Sequence, residues 1–233
     1  MDMEKQNTKL DIDRIIFIGR TFDEYIDMFN LQIKNLKDKK LLDCPAGACS
    51  FTALGRNNGL EVKACDIAYT FETNDLYNKG MQDVAHAIEK MELSKSNYNW
   101  SYFKNTIDLK THRLQALEDC TEDMKRYPES YRYVSLPELP YEDNEFDILL
   151  SAHFLFMYSD RLDYQYHIQT INEMLRVTSE EIRIFPLINL EGKRYEHLND
   201  VIKYLNELGY ITEEIKVDYE FQTNANTMLK IKI

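Results

Sequence analysis

The sequence predicts an α/β domain in which a parallel sheet is covered by helices on both faces and closed by an antiparallel last strand. Three observations carry this. Short apolar runs alternate with longer helical stretches, the pattern of successive β–α units. Only 7 Gly and 5 Pro occur in 233 residues, which favours long helices over linkers. The tail, Ile211 to Phe221 and Thr227 to Ile233, alternates as the two strands of a hairpin. Hydrophobic residues make up 44% of the chain, enough to fill one core, so a single domain over residues 1–233 is expected.

The elements follow in order. Asp11 to Asp38 carries apolar residues at helical spacing, among them Ile12, Ile15, Phe22, Tyr25, Ile26 and Phe29. Gly19 divides this stretch, so one or two helices are expected within an N-terminal lid of residues 1–39, the second capped by Thr21 or Asp23. Lys40 to Cys44 is a short strand, Pro45 to Ser50 a small-residue loop, and Phe51 to Leu54 opens a helix. Val62 to Asp66 is a second strand ending on a carboxylate. A long helical region runs from Asn74 to Tyr127, broken by the aromatic cluster Tyr98 to Phe103. Arg132 to Ser135, Phe146 to Ser151 and Glu181 to Leu187 read as strands, Ile168 to Val177 and Tyr195 to Leu208 as helices, with Gly209 ending the last one.

Composition narrows the function. The charge of −12, from 28 Lys+Arg against 40 Asp+Glu, disfavours nucleic acid or an anionic membrane as the main partner. Cys44, Cys49, Cys65 and Cys120 form no Cys-x-x-Cys pair, so reduced thiols are expected rather than a zinc site. His153, Asp160, Asp163 and His167 can be pictured as a metal cluster, but surface positions explain most of them, and no metal is expected. The polar N-terminus and the lack of any long apolar run point to a cytoplasmic protein.

In such a sheet, ligands bind at the carboxyl ends of the strands. Asp43-Cys-Pro-Ala-Gly-Ala-Cys-Ser50 stands at the first such end, and Asp66 follows Gly47 by about twenty residues, where a carboxylate meets a ribose. Of the dinucleotide pattern Gly-x-Gly-x-x-Gly, Gly47 alone matches. A ligand with a ribose but no phosphates therefore fits better.

These residues carry a resemblance. Leu41 to Phe51 resembles motif I of the class I S-adenosylmethionine-dependent methyltransferases, and Val62 to Asp66 their second strand with its ribose-binding acid. Leu139-Pro-Tyr-Glu-Asp-Asn-Glu-Phe-Asp147 resembles the segment before strand four in small-molecule members such as the ubiquinone/menaquinone methyltransferase group. Ile171 to Val177 resembles the helix leading to strand five. The resemblance spans residues 40–233 and implies a Rossmann-like seven-stranded methyltransferase sheet, with N-terminal helices and a helical insertion over 74–132 between strands two and three. It departs where Pro45 and Cys49 replace small motif positions.

The resemblance implies S-adenosylmethionine as cofactor and a small-molecule acceptor of the methyl group. It implies cofactor contacts from Pro45, Ala46, Gly47, Ser50 and Phe51, from Asp66 to the ribose, and from Asp43 near the amino-acid end. Ile67, Ala68, Ser135 and Leu136 flank the adenine, although Ser135 reads equally as an ordinary loop serine. Ser151, Ala152 and His153 follow strand four. His153 is open to three readings: cofactor contact, general base or packed loop histidine; Tyr158 is the second candidate base. Arg20 and Tyr25 are placed at the cofactor carboxylate, while Phe154, Phe156 and Trp100 are assigned to the acceptor pocket, with core packing for the first two and a joint between two helices for Trp100 as the alternatives. Two alternatives stay open: methylation of a macromolecule such as RNA or protein, and a non-catalytic cofactor-binding protein marked by Pro45.

Overall fold

The computed structural model describes residues 16–233. Seven strands form one sheet: β1 (Lys40–Asp43), β2 (Glu61–Asp66), β3 (Tyr131–Tyr133), β4 (Phe146–Ala152), β5 (Thr178–Phe185), β6 (Ile211–Lys216) and β7 (Thr227–Lys232). Their spatial order is β3-β2-β1-β4-β5-β7-β6. The first five run parallel, whereas β7 is antiparallel to both β5 and β6. This is a Rossmann-like seven-stranded sheet with an antiparallel β7, as the resemblance implies, and its strand order reverses between β1 and β4.

The two-residue period of the central strands sorts the core. Leu41, Ile148, Leu150 and Ala152 face one side, where they meet α1 (Phe22–Met28), α2 (Phe51–Asn57) and Leu109 of α4 (Thr106–Arg126). Leu42 and Leu149 face the other, under α5 (Tyr164–Val177) and α6 (Leu198–Glu207). A third cluster, with Phe17, Leu76 and Leu117, lies where α3 (Thr73–Leu93) packs against α4. Both α3 and α4 thus come between β2 and β3.

Helix ends follow their capping residues. Thr21 and Glu24 form a reciprocal capping box on α1, Asn105 caps α4, and Asp163 caps α5. Gly209, just beyond α6, has φ +95°.

The expected helix over 11–38 is largely corrected. Ile12 and Ile15 lie outside the described residues; of the rest, only Phe22–Met28 is α-helical, with a 3-10 turn at Ile33–Asn35. Leu31 and Leu36 are buried by tertiary packing, so helical spacing arose there without a helix. The tail strand expected to reach Phe221 ends at Lys216, and Tyr219 and Phe221 turn into the core instead. Among the described residues, no helix is long and apolar enough to cross a membrane.

Candidate functional site

A cavity of about 450 Å³ opens at the carboxyl ends of β1, β2 and β4, beside the reversal in strand order. Its floor is the loop after β1. Ala46 N–H donates to the Cys65 carbonyl (2.9 Å), and Gly47 takes φ +56°, a conformation open to glycine. Gly47 N–H donates to Asp66 Oδ2 (2.9 Å), while Ala68 N–H donates to Asp66 Oδ1 (2.8 Å). Each carboxylate oxygen keeps an accepting position. Burial raises the Asp66 pKa, and these two N–H groups work against the rise. Tyr69 donates its hydroxyl to the Gly47 carbonyl (2.8 Å), which holds the loop from behind.

Over this loop runs the segment Ile16–Arg20. Ile16, Ile18 and Arg20 line the cavity and Phe17 is fully buried, the alternation of an extended chain. A Cβ on Gly19 would stand 1.9 Å from the Ala48 carbonyl oxygen, so this position admits glycine alone. Arg20 N–H meets Cys49 Sγ (3.2 Å), and Ser50 N–H donates to the Arg20 carbonyl (3.0 Å). The Arg20 Nε is buried without a hydrogen-bond partner.

His153 leaves β4 with φ +53°, a conformation rare outside glycine. Its N–H donates to the Phe185 carbonyl (2.6 Å), and its ring meets the Phe185 ring at 5.3 Å. Burial, then the charges of Arg20 and Arg113, hold the imidazole well below its ordinary pKa; it is neutral at pH 7, with Nδ1 buried and unpartnered. Burial raises the Tyr158 phenol, so this residue keeps its proton.

The cavity gathers Arg20, Pro45, Ala46, Gly47, Asp66, Ile67, Ser135, Leu136, Ala152, His153, Phe154 and Tyr158 from the expected set. Others stand behind its wall. Asp43 is fully buried and accepts from the Tyr25 hydroxyl (2.9 Å), while Tyr25 stacks on Phe51 at 4.9 Å. Burial raises the Asp43 pKa well above the ordinary carboxyl value, and its Oδ2 has no partner. Ser50 Oγ accepts from Phe22 N–H, Ala68 is enclosed beside Asp66, and the buried Ser151 hydroxyl is unpartnered.

Two pocket assignments are corrected. Phe156 is 1% exposed and stacks on Tyr195 at 5.0 Å, on the far side of the sheet. Trp100 packs edge-on against Phe221 at 5.3 Å and donates to the Lys95 carbonyl; no residue of α3 or α4 lines the cavity. Both aromatics fill core surface. The cavity also takes Ile16, Ile18, Cys44, Cys49, Cys65, Val134, Arg161, Leu162 and Tyr166, which sequence reasoning missed. The two-residue alternation of Ile16-Phe-Ile-Gly-Arg20 was a readable signal for the first pair. The four cysteines surround the loop: all are free and buried, and Cys120 Sγ stands 3.9 Å from the Gly47 carbonyl. Burial pushes the Cys49 thiol up to about 12.

A second polar centre lies apart from the cavity. Glu24 and Arg113, both buried, pair in a bidentate manner (2.6 and 3.0 Å), and the Tyr219 hydroxyl donates to Glu24 (2.8 Å). Burial alone would raise the Glu24 pKa; Arg113 overcomes it and holds the carboxylate below its usual range.

No family model matches the chain. The uncharacterized protein MJ0045 of Methanocaldococcus jannaschii is 35% identical over 224 residues, covering 96% of this chain and 98% of that protein. The chain belongs to the MJ0045 family. Two solved structures resemble this member of the family at lower identity. One is a SAM-dependent methyltransferase from Aquifex aeolicus: 13% identity, TM-score 0.46, covering 90% of this chain and 93% of that one. The other is 1,6-didemethyltoxoflavin-N1-methyltransferase from Burkholderia thailandensis, crystallised with 1,6-didemethyltoxoflavin and S-adenosylhomocysteine: 12% identity, TM-score 0.49, covering 90% and 77%. The fold assigned to this MJ0045 relative rests on its own strand order.

Proposed function

We propose that the protein is an enzyme transferring a methyl group from S-adenosylmethionine to a small-molecule acceptor. The observation that carries this reading is Asp66, a carboxylate at the end of β2, oriented by two backbone N–H groups and open to the cavity beside Gly47. Its remaining accepting positions suit the two hydroxyls of a ribose. Arg20 brings an unpartnered, buried Nε to the same cavity, which suits the amino-acid carboxylate. Ile67 and Leu136 supply apolar surface for an adenine, with Ser135 at its edge. Pro45 offers no N–H, so at that position the loop contributes shape alone.

The cofactor supplies a methyl group on a positively charged sulfur, ready for in-line displacement. What the chain contributes is placement and dryness. Phe154, Leu162 and Tyr166 enclose the cavity with largely apolar surface, which fits a small acceptor. His153, neutral near pH 7, would hold and take up the proton of an acceptor O–H or N–H. Tyr158 keeps its proton and orients the acceptor through a hydrogen bond.

Calorimetry with S-adenosylmethionine and S-adenosylhomocysteine tests the binding half. Absence of binding by either at millimolar concentration overturns the reading. Release of S-adenosylhomocysteine on addition of fractionated small metabolites, but not of bulk RNA or protein, tests the acceptor class.

A further inference from the structure

The helices between β2 and β3 contribute nothing to the cavity wall, yet one of their side chains reaches the segment that does. Asp83, on α3, is 1% exposed and accepts the Phe17 N–H through Oδ2 at 2.8 Å. Lys79, one turn earlier, pairs with the same oxygen at 2.5 Å. At the other end of the segment, Arg20 is bound through its own N–H and carbonyl to Cys49 and Ser50. Between these anchors, Gly19 lies so close to the Ala48 backbone that no side chain fits. The segment is therefore a short strap fastened to α3 at Phe17 and to the cofactor loop at Arg20.

We propose that Asp83 is a positioning residue which, by holding the strap at Phe17, aims the Arg20 guanidinium at the carboxylate of the bound S-adenosyl ligand. The inference rests on the ligand class proposed above. It gives α3 a role at the site from outside the site. It also accounts for a loop that keeps one glycine: the close backbone approach comes from Gly19, on the strap. A side chain at position 83 with no accepting oxygen leaves the buried Phe17 N–H without its acceptor, and the strap is then free to shift away from the loop.

Two ligands separate this from a general loss of structure. S-Adenosylhomocysteine carries the amino-acid carboxylate that Arg20 would bind; 5′-methylthioadenosine has the same adenosine and thioether without it. In Asp83→Ala, the dissociation constant for S-adenosylhomocysteine should rise about tenfold or more, the worth of a charge-assisted hydrogen bond. That for 5′-methylthioadenosine should stay within about twofold, since its binding draws on no such bond. Asp83→Asn, whose amide oxygen still accepts the Phe17 N–H, should recover most of the difference. Equal weakening of both ligands, or no weakening of either, overturns the proposal. Should Asp83→Ala fail to fold, hydrogen exchange on the unaltered protein decides: S-adenosylhomocysteine should protect the amides of residues 16–20, and 5′-methylthioadenosine should not. Equal protection by the two overturns it as well. Failure of the unaltered protein to bind either ligand would instead remove the underlying reading.

Discussion

Glu24 and Asp43 are equally hidden, each with no exposed surface, and they are treated in opposite ways. Glu24 meets a bidentate guanidinium and a tyrosine hydroxyl, so it is ionised and satisfied. Asp43 receives one hydroxyl, keeps an unpartnered oxygen, and lies behind the cavity wall with its pKa driven up by burial. A buried charge is costly without a partner, so the chain compensates the acid that ties its segments together. It leaves uncompensated the acid behind the cavity wall. Glu24 joins α1 to α4 and to the C-terminal segment; Asp43 joins only α1 to the sheet, through Tyr25. Of these two acids, the one that ties segments together is closed, and the one behind the cavity wall is left open.

The comparison breaks most severely at Arg113. Arg113→Met leaves Glu24 buried and unpaired, and chemical denaturation should show a loss of about 3–5 kcal/mol. A smaller loss would mean that water reaches Glu24. Next comes Asp66→Ala, which should weaken S-adenosylhomocysteine by about 1–3 kcal/mol in calorimetry and also lower the thermal midpoint, because the Gly47 and Ala68 N–H groups lose their acceptor. Unchanged affinity beside a lower midpoint would turn this carboxylate from a binding group into a loop brace.

Asp43→Asn acts in the other direction. The folded-state pKa of Asp43 is raised, so the unaltered protein loses stability as pH rises from the ordinary carboxyl value to the folded one. The amide cannot ionise. The variant should therefore match the parent near pH 4 and exceed it by about 1 kcal/mol at pH 8, with Tyr25 still donating to Oδ1. Thermal midpoints across that range check the sign; a gain that shrinks with rising pH would contradict the burial account. The smallest effect falls at Trp100. Because it packs on Phe221 away from the cavity, Trp100→Phe should leave affinity for S-adenosylhomocysteine within about twofold, less than the loss of one hydrogen bond. Fluorescence of the parent should be unmoved by the ligand.

What the sequence made legible was whatever local pattern determines. Asp66 and Gly47 stand at strand ends where a parallel sheet places its ligands, and the apolar runs of β1, β4 and β5 fix those ends. Thr21 and Gly209 punctuate helices by chemistry that acts within a few residues. Less legible was whatever depends on long-range packing. Glu24 and Arg113 are 89 residues apart, and nothing in either neighbourhood marks them as a pair. Trp100 and Phe156 carry the same apolar surface whether they face a ligand or a core, so their types could not choose between the two. Leu31 and Leu36 mimicked a helical stripe because tertiary burial, like a helix, selects apolar residues.

The ring of thiols around residues 44–49 makes the loop a clock. A buried sulfur is out of reach of an aromatic disulfide reagent, so each of the four can be labelled only while its surroundings are open. The labelling rate then counts openings of the site, with no dye attached and no residue replaced. Cys120, behind the Gly47 carbonyl, reads the back of the loop, while Cys44, Cys49 and Cys65 read its front. A ligand that closes the front alone would slow three of these sulfurs and leave the fourth at its own pace.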